Sequence, residues 1–223
     1  MVADIISKKE VNALFIFKKR RLSINTRFLE DFETKKQVVF DTTVKIQEDT
    51  DMNETMKNLL ERRSVRGYKK DLVPEEILNE ILEAGEYAPS GMGQQGTLMV
   101  VTQNPELVAK LSKMNADVMG TKSDPFYGAP TVIVVFADSE QGTCVENGSL
   151  VMGNLMNAAH AVGVDSCWIH RAREVFASEE GKALKAEWGV SESYIGIGHC
   201  VLGYRSGEYP EAKARKDGFV IRV

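Results

Sequence analysis

Seven consecutive residues, Thr131 to Ala137 (TVIVVFA), carry no charge and a single hydroxyl. A strand with one face in water alternates apolar and polar side chains, whereas an unbroken apolar run of this length is buried on both faces. A sheet with such a strand at its centre needs helices above and below, so the chain is expected to fold as three layers, α-β-α. Neighbouring patterns supply the helices. Pro74-Glu75-Glu76 opens one, with proline in the first turn and acids at the positive helix end. Its apolar residues Ile77, Leu78, Ile81 and Leu82 share a face. Asn104-Pro105-Glu106 caps a second, containing Leu107, Val108, Leu111 and Met114. A long helix is expected over Asn147–Val162 and another over Ser178–Trp188, with a short amphipathic one around Met56, Leu59 and Leu60. Thr97–Thr102, Asp165–Ile169, the glycine-interrupted Ile195–Tyr204 and the terminal Phe219–Val223 read as further strands, and Gly120–Gly128 as a loop. So small a sheet among this many helices leaves helix faces that oligomerisation would bury.

The punctuation of the chain is uneven. All 18 glycines and all 6 prolines lie beyond residue 51, and residues 1–51 also lack Cys, Tyr and Trp. That segment is expected to be an extension outside the functional domain, with residues 52–223 forming the domain and Met52 or Met56 as candidate natural starts. Its run Lys18-Lys19-Arg20-Arg21 reads as solvated surface.

Composition narrows the function. The 223 residues carry a net charge of −4, which provides no general field for nucleic acid. Cys144, Cys167 and Cys200 form no metal-binding or disulfide spacing and are expected to be reduced thiols in a cytoplasmic protein, with Cys167 a small buried hydrophobe. No apolar stretch reaches the length of a membrane span. His160 and His199 lack metal-ligand spacing. Gly196, Gly198 and Gly203 fall inside a strand, not between strand and helix as a dinucleotide fingerprint requires.

Two stretches carry the chemistry. Arg62-Arg63-Ser64-Val65-Arg66 places three guanidinium groups and a hydroxyl after a short helix, and the planar fork of arginine suits a phosphate. Ala88 to Gly96 (APSGMGQQG) is a small-residue loop leading into an apolar run, and a permissive backbone of this kind can lie close to a flat ligand. Together they suggest a phosphorylated planar molecule.

These stretches, with YGAPTVIVV (127–135), AAHAVGVDSCWI (158–169) and LGY…KARKDGFVIRV (202–223), resemble the nitroreductase family of flavin enzymes over about Met56–Val223. The resemblance implies an α+β three-layer sandwich around a small mixed, mainly antiparallel sheet. It also implies an obligate homodimer with FMN lined by both subunits, and a reaction that moves hydride from NADH or NADPH to flavin N5. Electrons then pass to a nitroaromatic, quinone or similar conjugated acceptor in a ping-pong cycle. By the same resemblance Arg62, Arg63 and Ser64 hold the FMN phosphate and Arg66 sits by the flavin N1. Pro89, Ser90, Gly91, Met92 and Gln95 run along the ribityl chain and ring. Ile169, His170 and Arg171 face N5, and Lys213 and Arg215 close over the phosphate. No side chain is required as acid or base, because the cofactor carries the chemistry. The chain departs from a common family pattern at Gly93, often Asn, at Gly96-Thr97, often Pro-Trp, and at His170-Arg171, often Glu-Gly. Two alternatives share the cofactor: a flavin-binding module without turnover, and a same-fold enzyme for dehalogenation or dehydrogenation.

Overall fold

The computed structural model describes residues 52–223; the expected extension at 1–51, with its basic run, lies outside them. The elements follow in the order α1 (Glu54–Glu61), α2 (Glu75–Glu86), β1 (Thr97–Thr102), α3 (Pro105–Met119), β2 (Thr131–Asp138), α4 (Cys144–Ala161), β3 (Asp165–Ile169), α5 (Ala172–Ala177), α6 (Glu179–Glu187) and β4 (Tyr194–Gly203). One sheet is ordered β1-β2-β4-β3, and every neighbouring pair in it is antiparallel. The only parallel pairing among the described residues is the single bridge between Ser64 and Ser166.

The apolar run becomes β2, buried along Thr131–Ala137, and alternation sorts its side chains between two cores. Val132, Val134 and Phe136 pack with Val108, Leu111 and Met114 of α3, Val175 and Phe176 of α5 and Leu184 of α6. Ile133, Val135 and Ala137 pack on the other face with Leu78 and Ile81 of α2 and Val151, Met152, Leu155 and Ala159 of α4. Each fully buried aliphatic side chain contributes about 1.5–3 kcal/mol, so the double burial of β2 is a principal source of cohesion.

Helix ends follow the local chemistry. Asn104 caps α3 through its side-chain oxygen, which accepts from Glu106 N (2.9 Å) and Leu107 N (3.1 Å), and the helix ends at Gly120 with φ 64°. Ser178 caps α6 by accepting from Gly181 N at 3.1 Å. The glycine at 196 has a packing cause, since a Cβ there would collide with the carbonyl of Ala172 in α5.

Three expectations are corrected. Phe219–Val223 is not a strand but exposed irregular chain, because no strand among the described residues offers its backbone a ladder. The long helix begins earlier, at Cys144. The six-residue α5 was not expected at all. A further feature bears on assembly: α1 forms, yet it buries no residue, and Met56, Leu59 and Leu60 are each about half exposed.

Candidate cofactor site

The arginine run is laid along the sheet. Val65 N donates to Ser166 O (3.0 Å), which attaches the run to the edge strand β3. Tyr68 N then donates to Tyr127 O (3.2 Å), Lys69 N to Tyr204 O (2.8 Å) and Ser206 N to Gly67 O (3.0 Å). Val65 and Tyr68 are the buried anchors, and the Tyr68 hydroxyl donates back to Val65 O at 2.9 Å. Burial raises the Tyr68 phenol above its ordinary pKa, so it stays a neutral donor. With both anchors turned inward, Arg62, Arg63 and Arg66 are left at the surface of the β3 edge.

None of these three arginines forms an ion pair with an acidic side chain among the described residues; the nearby buried carboxylate, Asp165, pairs with Arg205 at 3.3 Å. The Arg62 Nη1 is buried without a hydrogen-bond partner, as is the Ser166 hydroxyl. A buried charged donor left unpaired is costly, and a ligand anion would relieve it. Arg63 is partly committed. Its Nη1 donates to Leu60 O (2.7 Å) and Arg62 O (2.8 Å), capping carbonyls at the end of α1, while its buried Nε has no partner. Three cations, a hydroxyl and orphaned buried donors fit a phosphate.

A residue that sequence reasoning passed over holds this run in place. The Tyr209 hydroxyl accepts from Arg63 N at 2.7 Å and donates to Glu61 O at 3.2 Å. Its ring stacks on His160 at 5.8 Å, and the Arg205 guanidinium lies over it at 5.2 Å. Burial holds His160 below its ordinary pKa, so a neutral imidazole faces the tyrosine. Tyr209 sits in an irregular tail with no periodicity to mark it.

At the far end of β3 a cavity of about 260 Å³ is lined by Arg66, Met119, Pro125, Tyr127 and Cys167–Arg171. Ile169, His170 and Arg171 therefore line one cavity with Arg66. Arg171 has φ 77°, a left-handed conformation that the frequent family glycine would adopt freely, and its guanidinium pairs with Glu174 at 3.6 Å. The fully buried Asn115 of α3 donates from Nδ2 to His170 O at 2.7 Å and lies 3.4 Å from Nδ1 of the buried His199, which fixes the turn from behind. Burial raises the Cys167 thiol despite the lowering influence of Arg66, so it is a protonated core residue.

Ser90–Gln95 is placed elsewhere. Gly91 N donates to Asn147 Oδ1 at 2.9 Å, near the start of α4. Tyr209 meets His160 near the end of the same helix. Thirteen residues of α-helix separate the two points, about 20 Å. Within one chain the loop is therefore remote from the arginines. Gly91 and Gly96 serve the packing of this loop, because a Cβ on either would collide with Thr143 or Gln141. Met92, Gly93 and Gln95 all have positive φ, and Met92 is 90% exposed. Pro89 lies beside them, exposed. Lys213 and Arg215 are exposed on the tail, where Arg215 folds onto Lys213 O at 2.8 Å rather than onto the arginine run.

A cavity of about 840 Å³ lies between α3 and the 121–130 loop, away from the arginine run. Among the described residues no cluster of His, Cys, Asp and Glu could hold a metal, and no helix is long and apolar enough to cross a membrane.

Known proteins share this fold. The chain resembles an FMN-bound nitroreductase from Bacteroides fragilis, with 28% identity and a TM-score of 0.72 over 77% of this chain and all of that one. An FMN-bound nitroreductase from Desulfitobacterium hafniense gives 27% identity and a TM-score of 0.69 over 77% and 99%. An NADH dehydrogenase from Thermus thermophilus is 33% identical over 157 residues, 68% of this chain and 69% of the relative. The nitroreductase family model matches residues 59–204, from the end of α1 through β4, and the chain belongs to the nitroreductase family.

Proposed function

We propose that this protein is an FMN-dependent oxidoreductase that takes hydride from NADH or NADPH and reduces nitroaromatics, quinones or similar conjugated acceptors. The observation that carries this reading is the buried, unpaired Arg62 Nη1 beside Arg63, Ser64 and the β3 edge, a donor set that matches a phosphate. FMN, when bound, supplies the chemistry: it accepts hydride and passes the electrons on. The chain's own residues bind and orient. Arg62 and Ser64 hold the phosphate, with Arg63 contributing what its helix-capping role leaves over. Arg66, lining the cavity beside Ile169–Arg171, places a fixed cation where negative charge develops on the ring system. The backbone at His170–Arg171, held by the bond from Asn115 to His170 O, would offer its N–H groups to the ring edge. No side chain is assigned as acid or base. Donor and acceptor use one slot in turn, which gives ping-pong kinetics.

The 20 Å separation along α4 supports a homodimer. In a single chain the Ser90–Gln95 loop is too far away to line a flavin whose phosphate is held at Arg62. In a dimer the loop of a second copy fills that role. The half-exposed apolar face of α1 supplies surface for such an interface. The cavity at β3, small for a complete cofactor site, suits one half of a shared one.

The test is direct. The purified full chain should show flavin absorbance near one FMN per chain, elute as a dimer, and oxidise NADH or NADPH only when menadione or a nitroaromatic is present. A colourless protein that takes up no added FMN would refute the reading. Tight FMN binding with no turnover across several acceptors would favour a flavin-binding module instead.

A further inference from the structure

We propose that Tyr127 is the acceptor-contact residue of this site and biases it toward flat, uncharged conjugated molecules; the inference rests on the flavin reading above. Tyr127 has φ 56° and the next residue, Gly128, has φ 77°. Two successive left-handed residues are unusual, and a bulky non-glycine residue holds that conformation only where its surroundings impose it. Here they do. The Asp124 carboxylate accepts from Phe126 N (2.8 Å), from Gly128 N (2.7 Å) and from the Ser112 hydroxyl of α3. Tyr127 N donates to Asp124 O at 3.3 Å, and Tyr127 O accepts from Tyr68 N at 3.2 Å. Phe126, 1% exposed, plugs the core beneath.

This scaffold keeps Tyr127 out of the core and among the residues that line the β3 cavity. The residue is 37% exposed, and its hydroxyl has no hydrogen-bond partner among the described residues. The cavity wall divides by chemistry. Arg66, His170 and Arg171 make its polar part, and Met119, Pro125 and Tyr127, with Cys167, Trp168 and Ile169 of β3, its apolar and aromatic part. The cationic part is spoken for by the anionic cofactor. What remains is a rigid aromatic surface with a free hydroxyl, which suits a π-stacked quinone or nitroaromatic whose oxygen can accept a hydrogen bond. A compact, highly charged acceptor gains nothing from such a wall.

The experiment compares menadione with ferricyanide at saturating NADH, using the holoenzyme. Tyr127→Ala should lower kcat/KM for menadione roughly three- to tenfold, the range of an aromatic contact, while leaving FMN content and the ferricyanide rate unchanged. Tyr127→Phe should keep most of the menadione activity. Tyr127→Asn, which tolerates the left-handed backbone, separates loss of the ring from loss of the loop and should behave as the alanine variant does. An equal fall for both acceptors, unchanged menadione kinetics, or loss of FMN from the variants would overturn the proposal. A wild-type chain that takes up no FMN would bring down the flavin reading and this inference together, whereas a yellow, active wild type with acceptor-blind variants would sink this inference alone.

Discussion

The two regions that resemble flavin-binding segments differ in how their polar groups are satisfied. The arginine run at β3 is fixed to the sheet by backbone bonds from Val65, Tyr68 and Lys69, yet it leaves Arg62 Nη1 and the Ser166 hydroxyl buried and unpaired. The Ser90–Gln95 loop is the reverse. Gly91 N finds Asn147, Gln95 N finds the Ser90 hydroxyl and Gly93 N finds Ser90 O, while the Met92 side chain stands in solvent. Thus one region is rigid and short of partners, and the other is internally satisfied but strained in backbone and open at its surface. Under the proposed function the first would receive the anion, and the second would cover a ligand held by another copy of the chain.

The sharpest way to break this contrast is acid. His199 is buried behind the β3 end, paired in register with Ile169 and near Asn115, and burial lowers it from 6.5 to about 4. Above pH 6.5 it is neutral in both folded and unfolded chains, and stability is complete. Between pH 6.5 and 4 the unfolded chain takes a proton that the folded chain refuses, so stability falls, by about 3 kcal/mol in all. Urea unfolding at pH 7.5, 5.5 and 4.5 should show this loss, and His199→Gln should flatten it. Equal slopes in the two proteins would remove His199 as the cause.

Next in size, Arg62→Ala should weaken FMN binding by about 1.5–3 kcal/mol, roughly ten- to a hundredfold, if it makes a charge-assisted phosphate bond. Fluorescence titration of the deflavinated protein measures it, and an unaltered affinity would erase the distinction between the two regions. Asn147→Ala removes the anchor of the loop and should cost about 1 kcal/mol of folding stability in urea, with a smaller effect on FMN affinity than Arg62→Ala. If it released flavin as readily as the arginine variant, the loop would be as preorganised a receptor as the clamp. The smallest expected effect is none: a chain comprising residues 52–223 should remain yellow and active, and a colourless or insoluble product would place the domain boundary elsewhere.

Much of the fold was legible because β2 is uninterrupted apolar sequence and because Thr97–Thr102 and Asp165–Ile169 are bounded by turn residues; both strands match their expected limits. The helix α5 was not, since AREVFA is six residues without a capping side chain and is held by tertiary packing of Val175 and Phe176. The terminal FVIRV has strand composition, but composition cannot provide the neighbour that a ladder needs. In the site, the residue types of the arginine run suggest an anion, and the structure leaves Arg62 Nη1 buried without a partner. That the glycine loop lies at the opposite end of α4 depends on a contact between segments far apart in sequence, Gly91 with Asn147. Tyr209, which reaches back 146 positions to Arg63, had no local signature at all.

That last reach has a consequence for synthesis. The sheet is finished at Gly203, but the clip on the arginine run comes six residues later, in the tail. If the arginine run holds the cofactor as proposed, a nascent chain completes its four-stranded sheet before that run is clipped, and a product stopped at Gly207 is expected to keep the sheet but to bind FMN weakly. Carboxypeptidase trimming of the finished protein would run the same order backwards, with colour bleeding away while the interior stayed intact.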